Sequence, residues 1–355
     1  MTNVPPRAGA TMMNIPFEPH DVVRVASIGI GGRGGGQLNE MLAVEGAVVV
    51  AIADQSQELL DNAAARIVAA GQGPPQVFTD WRKLCELEDI DLVYICTGWE
   101  THVPMACYAM ECGHHAAVEV PAAVTLADCW KLVDTSERTR RHCVQLENCC
   151  YGQQEMMVMN MIEAGLFGTL THAEAAYIHE MRGSLLGPKS AATPNWRRKA
   201  ITANNGNLYP THGLGPVSQY LGIHKGDRFS KMVSMSSPSA ALSDLRDRTV
   251  ADGDARQEEV YVNGDMSTSI IQTALGRTIL LQHDIVTPRP YSRLNLVQGS
   301  RGTFSDYPPQ IFLDRVAAEG EEEEQAEMGS HDWEDAGPES KCVRHCPVIS
   351  CQHYY

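Results

Sequence analysis

The sequence predicts an α/β chain in two parts: a doubly wound parallel sheet, then an α+β domain with an open, mainly antiparallel sheet. Three observations carry this reading. Short apolar runs alternate with amphipathic helical stretches from Asp21 to Glu147, the pattern of parallel strands joined by crossover helices. After Tyr151 the period switches, and alternating strands dominate. Finally, 355 residues exceed what one hydrophobic core usually supports. The expected division is an N-terminal arm over 1–20, the parallel-sheet domain over 21–150, the open-sheet domain over 151–316, and an acidic, Cys- and His-rich tail over 317–355, expected to be poorly ordered.

In the first domain the strand candidates are, in order, VVRVASIG, AVVVAIAD, LVYICTG, HAAVEV and CVQLEN. Between them GGQLNEMLAV, QELLDNAAARIVAA, HVPMACYAMECG and LADCWKLVDTSERTR have helical spacing. The second domain opens with one more helix, QQEMMVMNMIEAG, followed by the strand candidates LTHAEAAYI, KMVSMS, EEVYVN, STSIIQTA, RTILLQHDI and RLNLVQG. The stretch Met181 to Val217 is rich in Gly, Pro, Asn and aromatic residues and reads as a long irregular binding loop. No internal repeat is present.

Charge narrows the function. With 28 basic and 44 acidic residues the formal charge is −16, which repels phosphodiester backbones and anionic membrane surfaces, so neither nucleic acid nor a membrane is expected as a partner. No apolar run reaches transmembrane length and no export signal is visible at the N-terminus. Cysteines such as Cys96 and Cys143 sit in apolar runs and read as buried free thiols, so a reducing, cytoplasmic compartment is expected. Near the C-terminus Cys342, His345, Cys346, Cys351 and His353 cluster, but their spacing matches no paired-ligand pattern, and no metal is assigned.

The first strand candidate runs straight into Gly29-Ile30-Gly31-Gly32-Arg33-Gly34 and then a helix, the context a dinucleotide fingerprint needs. Glycines let the backbone approach a pyrophosphate, and the unpaired N–H groups of a helix N-terminus favour anions. Asp54 ends the second strand, where a carboxylate accepts from adenosine ribose hydroxyls and repels a 2′-phosphate, so NAD is favoured over NADP. Asp54 also suits the N-cap of the helix that follows. Three further strand ends, at Thr97 to His102, at Glu119-Val120-Pro121 and at Glu147-Asn148, fall on the same carboxyl edge of this Rossmann-type sheet.

The GxGxRG turn, the EVP triplet and the change from βα to β layout resemble the Gfo/Idh/MocA oxidoreductase family, which pairs a Rossmann domain with an open-sheet domain. The usual triplet in that family is Glu-Lys-Pro, whose lysine assists hydride transfer; here Val120 stands in its place. EVP, the WETH run from Trp99 to His102, Asn148, Asn195-Trp196-Arg197 and GNLYPTHGLGPV around Tyr209 to His212 instead resemble the glycoside hydrolase family 109 branch. Gly29 and Gly31 are cofactor-binding candidates from the turn itself, and the resemblance implies further NAD contacts from Gly32, Arg33, Asp54, Trp99, Glu100, Thr101, His102, Glu119, Val120 and Asn148. It implies sugar contacts from Tyr177, Arg197, Tyr209, Pro210, Thr211, His212 and Tyr291, with His212 and Tyr177 catalytic. Read singly, Tyr177 and Tyr291 also suit a sheet face, Arg197 a surface ion pair, and His212 a cap after Pro210.

The resemblance further implies a glycosidase route without the usual two carboxylates: transient oxidation at C3 of an α-N-acetylgalactosaminide by retained NAD, loss of the C2 proton with expulsion of the C1 group, water addition and re-reduction. Histidine suits such proton transfer because imidazoles titrate near neutrality. An ordinary NAD-dependent sugar dehydrogenase, or an NAD-binding protein without turnover, are the alternatives. The nicotinamide is expected to face a pocket walled by the Tyr209–His212 loop. Members of the branch extend past this chain with a glycine-rich, histidine-bearing loop. The departure beyond Ala336 therefore reads as a truncated or frameshifted C-terminus, with reduced stability expected. Pairing of copies through the open sheet is a further expectation of the fold.

Overall fold

A computed structural model describes residues 11–187, 196–314 and 332–337. The acidic run after Ala317, the Cys/His cluster at 342–353, Asn195 and His331 lie outside the described residues. The chain folds as two compact units, Met1–Leu146 and Glu147–Tyr355.

The first unit runs β1 (Val23–Ile28), α1 (Gly32–Leu42), β2 (Ala47–Ala53), α2 (Gln57–Ala69), β3 (Gln76–Phe78), α3 (Trp81–Cys85), β4 (Leu92–Ile95), α4 (Trp99–Glu111), β5 (His115–Val118), α5 (Leu126–Thr139) and β6 (Cys143–Gln145). Its six strands are parallel in the order β3-β2-β1-β4-β5-β6, so the strand order reverses between β1 and β4, where sheets of this kind bind ligands. Both sheet faces are buried. Ala26, Ile28, Val93 and Ile95 pack with α3 and α4 through Leu84, Val103, Ala106 and Met110, while Val49 and Ile52 pack with α1 and α2 through Leu38, Leu60 and Ile67. Such two-sided burial explains why these strands read as continuous apolar runs. Helix starts follow local capping chemistry: Ser56 Oγ accepts from Leu59 N at 3.3 Å and Thr125 Oγ1 from Asp128 N at 3.1 Å. Strand β3 and helix α3 were not among the expected elements. β3 is a three-residue edge strand whose Gln76 and Val77 are exposed, so it carries no buried apolar run.

The second unit contains a 3-10 turn (Asn148–Cys150), α6 (Gln153–Glu163), β7 (Leu170–Ile178), α7 (Arg182–Leu186), α8 (Trp196–Ala203), α9 (Thr211–Tyr220), β8 (Phe229–Ser236), α10 (Ala241–Thr249), β9 (Ser267–Thr273), β10 (Thr278–Asp284), β11 (Leu296–Gly299), β12 (Gly302–Ser305), β13 (Gln310–Leu313) and β14 (Glu334–Asp335). The strands form an eight-stranded sheet in the order β14-β13-β12-β11-β7-β10-β9-β8, in which β7 and β10 pair in parallel and the other neighbours are antiparallel. One face carries Ala173, Ala175, Ile271, Ile279, Leu281, Val297 and Phe304, and is covered by α6 and α9 through Met157, Val158, Met161, Val217 and Tyr220. On β9 the alternation leaves Ile270 half exposed, the pattern of a sheet buried on one side.

Two sequence expectations are corrected here. EEVYVN is not a strand: Val262 and Asn263 donate backbone N–H to Ile201 O and Arg246 takes Glu259 O, so its polar groups are spent on helix partners rather than a ladder. The stretch from Met181 to Val217 is partly helical, with α7, α8 and the start of α9 inside it. The strands β12, β13 and β14 are additions; β14 comes from the Asp332–Asp335 segment and pairs with β13.

Candidate functional site

The glycine turn of the first unit divides into two kinds of glycine. Gly29 has φ +87°, and a Cβ there would lie 2.3 Å from Cys96 O; at Gly34 it would lie 1.9 Å from Gly29 O. Packing alone demands both. At Gly31 a Cβ would meet only Leu59 Cδ1, at 3.9 Å, and at Gly32 nothing within 4 Å. Among the described residues nothing else fills that space, so these positions leave the peptide open to a close ligand such as a pyrophosphate. Asp54 Oδ2 accepts from Ile30 N at 2.8 Å and Oδ1 from Ser56 N at 3.0 Å, tying the end of β2 to the turn. The helix cap is Ser56, not Asp54. A carboxylate offers about four acceptor sites, so lone pairs remain for ribose hydroxyls.

Arg33 projects from the first turn of α1 to Glu119, its Nε donating to Oε1 at 3.1 Å. The same oxygen accepts from Tyr94 OH at 2.9 Å, and Oε2 accepts from Val120 N at 3.2 Å. Burial works against the Arg33 guanidinium charge, but Glu119 outweighs it and raises the arginine above its ordinary value. The Cys96 thiol beside them is pushed up to about 11, chiefly by burial and then by the Glu119 charge. In the WETH run, Trp99, Glu100 and Thr101 form the first turn of α4, and Thr101 Oγ1 donates to Gly98 O. His102 is only 1% exposed, with Nδ1 2.8 Å from Pro121 O and Nε2 3.1 Å from Thr97 O, and burial holds it below the ordinary imidazole value. Both partners are carbonyl oxygens and a neutral ring has one N–H to give, so His102 donates to one of them and lies against the other.

The second unit gathers Tyr177, Arg197, Tyr209, His212 and Tyr291. Tyr177, near the end of β7, has ring centroids 4.9 Å from Tyr209, 5.2 Å from His212 and 6.4 Å from Tyr291. The Arg197 guanidinium lies 5.1 Å from the Tyr209 ring centre, and burial depresses its value although Tyr177 and Tyr209 oppose the effect. Its neighbour Arg198 pairs with Glu259 at 3.0 Å. His212 is placed by glycines. Pro210 caps the start of α9, and at Gly213 a Cβ would come 2.4 Å from Ala176 N, at Gly215 2.9 Å from Glu147 Cγ. Only glycine lets the helix lie this close to β7 and to the turn before α6. His212 Nδ1 thereby reaches Glu147 Oε1 at 2.7 Å, a bond between residues 65 apart in sequence, and is not spent on capping.

Several contributors are missing from the sequence reading. Glu147 Oε1 also accepts from Cys149 N at 3.0 Å. Burial would raise the Glu147 carboxyl, but the His212 hydrogen bond and charge carry it below its ordinary value. His179 Nδ1 lies 2.8 Å from Tyr177 OH, and burial followed by the Arg197 charge lowers this imidazole. His283, the register partner of Tyr177 on β10, is 1% exposed and lowered to about 4 by burial. These residues carry no local motif; the alternation of β7 and β10 is the one signal that puts His283 beside Tyr177. Asn148 opens the 3-10 turn whose N-cap is Glu147. Glu147, Cys149 and His212 bring three ligand-type atoms within 4.8 Å of one another. Within this group Glu147 Oε1 is hydrogen-bonded to His212 Nδ1, and burial is the main cause that pushes the Cys149 thiol up to about 12.

The glycine turn at a reversed strand order, followed by an open-sheet unit, defines an NAD-binding Rossmann protein of the Gfo/Idh/MocA oxidoreductase class. A model of the oxidoreductase family with NAD-binding Rossmann fold matches residues 23–147. Solved structures agree in fold. An oxidoreductase domain protein from Kribbella flavida superposes with a TM-score of 0.67 at 17% identity, over 84% of this chain and 78% of that one. A scyllo-inositol dehydrogenase from Lactobacillus casei with bound NAD(H) and scyllo-inositol gives 0.62 at 15%, over 84% and 80%. The glycosyl hydrolase 109 C-terminal domain model matches residues 151–341. A family 109 protein from Saccharopolyspora erythraea is 44% identical over 94% of this chain and 74% of its own length, and one from Solibacter usitatus is 46% identical over 87% and 72%. The chain belongs to glycosyl hydrolase family 109.

Proposed function

We propose that this protein is an NAD-dependent glycosidase acting on α-N-acetylgalactosaminides, with Tyr177 and His212 as its proton-transfer groups. The observation that carries the reading is the pairing inside the aromatic cluster: Glu147 holds His212 and His179 holds Tyr177, each at hydrogen-bond distance. Hydrolysis by two flanking carboxylates is a poor match, because Glu147 is already committed to His212 and Cys149. Val120, with no proton to exchange, stands where a dehydrogenase lysine would, which favours hydrolysis over net oxidation.

The first unit's Gly31, Gly32 and Asp54 would hold the pyrophosphate and ribose of NAD, with Arg33, Glu119, Val120, Asn148 and the Trp99–His102 run as further contacts. When bound, the cofactor supplies reversible oxidation at C3 of the sugar, which acidifies the C2 proton. Tyr177 takes that proton; its phenol is raised by burial, while the Arg197 charge acts the other way and favours the phenolate. His179 Nδ1, 2.8 Å from the phenolic oxygen, is its hydrogen-bond partner. Glu147 fixes His212 with its proton on Nδ1, leaving Nε2 to move a proton at a sugar hydroxyl. Tyr209 and Tyr291 supply aromatic faces for the apolar side of the ring, and Pro210 and Thr211 set the start of α9.

The deciding assay incubates purified protein with a chromogenic α-N-acetylgalactosaminide and no added NAD. Release of the aglycone is expected. No release, with stoichiometric NADH appearing from a free sugar once NAD is added, would replace the glycosidase with a dehydrogenase.

A further inference from the structure

Behind the aromatic cluster lies a charged group that the chemistry above does not use. Arg293 follows Tyr291 on the chain leading into β11, and its side chain is only 13% exposed. Its NH1 pairs with Glu155 Oε1 of α6 at 2.7 Å, its Nε donates to Tyr307 OH at 2.7 Å, and NH1 also donates to Cys149 O at 3.3 Å. Its main-chain oxygen accepts from Ala176 N, the residue before Tyr177, at 2.7 Å. Tyr307 in turn stands edge-on to Tyr291, with centroids 5.8 Å apart.

We propose that Arg293 is a positioning residue of this site, locking the turn that carries Glu147 to the tyrosine wall that carries Tyr291. The proposal rests on the glycosidase reading for what is positioned, and on these contacts for how. Cys149 is the joint: its carbonyl accepts from Arg293 while its N–H donates to Glu147 Oε1, the oxygen that takes His212 Nδ1. A displacement of Cys149 is therefore felt two bonds away, at His212. Glu155, itself buried, supplies the counter-charge a desolvated guanidinium needs. Neutralising a buried charge needs only that pair. The two further bonds, to Tyr307 and to Cys149, use the planar fork of an arginine to fix directions, which a lysine ammonium cannot do.

The test compares Arg293→Lys, Tyr307→Phe and the double variant. Arg293→Lys keeps the charge facing Glu155 and loses the fork. Its melting temperature is expected to stay within a few degrees of the parent, while kcat for aglycone release falls about tenfold or more with a smaller change in KM. Tyr307→Phe gives a smaller loss, and the double variant loses no more than Arg293→Lys alone, because both break one linkage. A second readout needs no turnover: the imidazole nitrogen resonances of His212 are expected to shift in Arg293→Lys and not in the exposed control Arg248→Lys. If the parent releases no aglycone, the glycosidase reading fails and the His212 resonances alone decide this one. Unchanged resonances, unchanged kcat in folded Arg293→Lys, or losses that multiply in the double variant overturn it. Should Arg293→Lys fail to fold, Tyr307→Phe carries both measurements.

Discussion

The glycine turn of the first unit and the tyrosine–histidine cluster of the second both depend on backbones brought unusually close, yet they are built in opposite ways. In the turn, Gly34 meets Gly29, five positions away in the same strand–helix junction, and Gly29 meets Cys96 at the end of the neighbouring strand β4. In the cluster, Gly213 meets Ala176, Gly215 meets Glu147, and His212 bonds a carboxylate 65 positions away. The first site is announced by a short motif in one strand–helix junction, with Cys96 and Asp54 at the ends of the neighbouring strands packed against it. The second exists only after the sheet, α6 and α9 have packed together.

The sharpest way to break that contrast lies within the turn. Gly34→Ala forces a Cβ to within 1.9 Å of a backbone oxygen, and is expected to cost about 3–5 kcal/mol, read as a lowered denaturant midpoint. Gly32→Ala meets nothing within 4 Å and should leave that midpoint almost unmoved while weakening NAD retention. Equal destabilisation by both would mean that no glycine there is reserved for a ligand. In the second unit Tyr177→Phe removes the phenolic proton but keeps the ring packing, so kcat should drop about 10²–10⁴-fold with little change in melting; undiminished turnover would remove Tyr177 from proton transfer.

Gly213→Ala tests long-range assembly. Its Cβ would press on the Ala176 peptide at 2.4 Å, and a loss of about 1–3 kcal/mol is expected, with activity falling further than the unfolded fraction accounts for because His212 moves with α9. The smallest effect concerns acid. The Glu147 carboxyl is held below its ordinary value in the folded chain, so its contribution is complete above the ordinary carboxyl value of 4.5 and is lost as pH falls from there through the folded value. Glu147→Gln should therefore be less stable than the parent near neutrality, and the gap should narrow on acidification below about pH 4.5. A gap that is constant with pH would uncouple Glu147 from His212.

The parts of the fold legible in the sequence are those with local causes. Buried parallel strands such as Ala47–Ala53 read as apolar runs because both faces are covered. The Gly29–Gly34 turn is visible because its glycine spacing marks a strand–helix junction, although the partner that demands Gly29 is Cys96 at the end of β4. Where the reading went astray, the competing cause was distant. Gln76–Phe78 is an edge strand held by pairing to β2 and not by its own burial. EEVYVN alternates like a strand, yet Ile201 and Arg246 claim its backbone. The glycines of THGLGPV look like helix breakers, whereas α9 needs Gly213 for its close contact with β7 and Gly215 for its close contact with Glu147.

Sequence by itself thus determined the two-part α/β plan, the nucleotide turn and the kinds of side chain available for chemistry, since periodicity and glycine sterics act over a few residues. Tertiary structure alone decided that Glu147 meets His212, that His179 meets Tyr177 and that Arg293 reaches Cys149 and Tyr307. Those meetings join separate strands, helices and turns, and their distances are set by how the sheet and its covering helices pack, which no local stretch of the chain encodes.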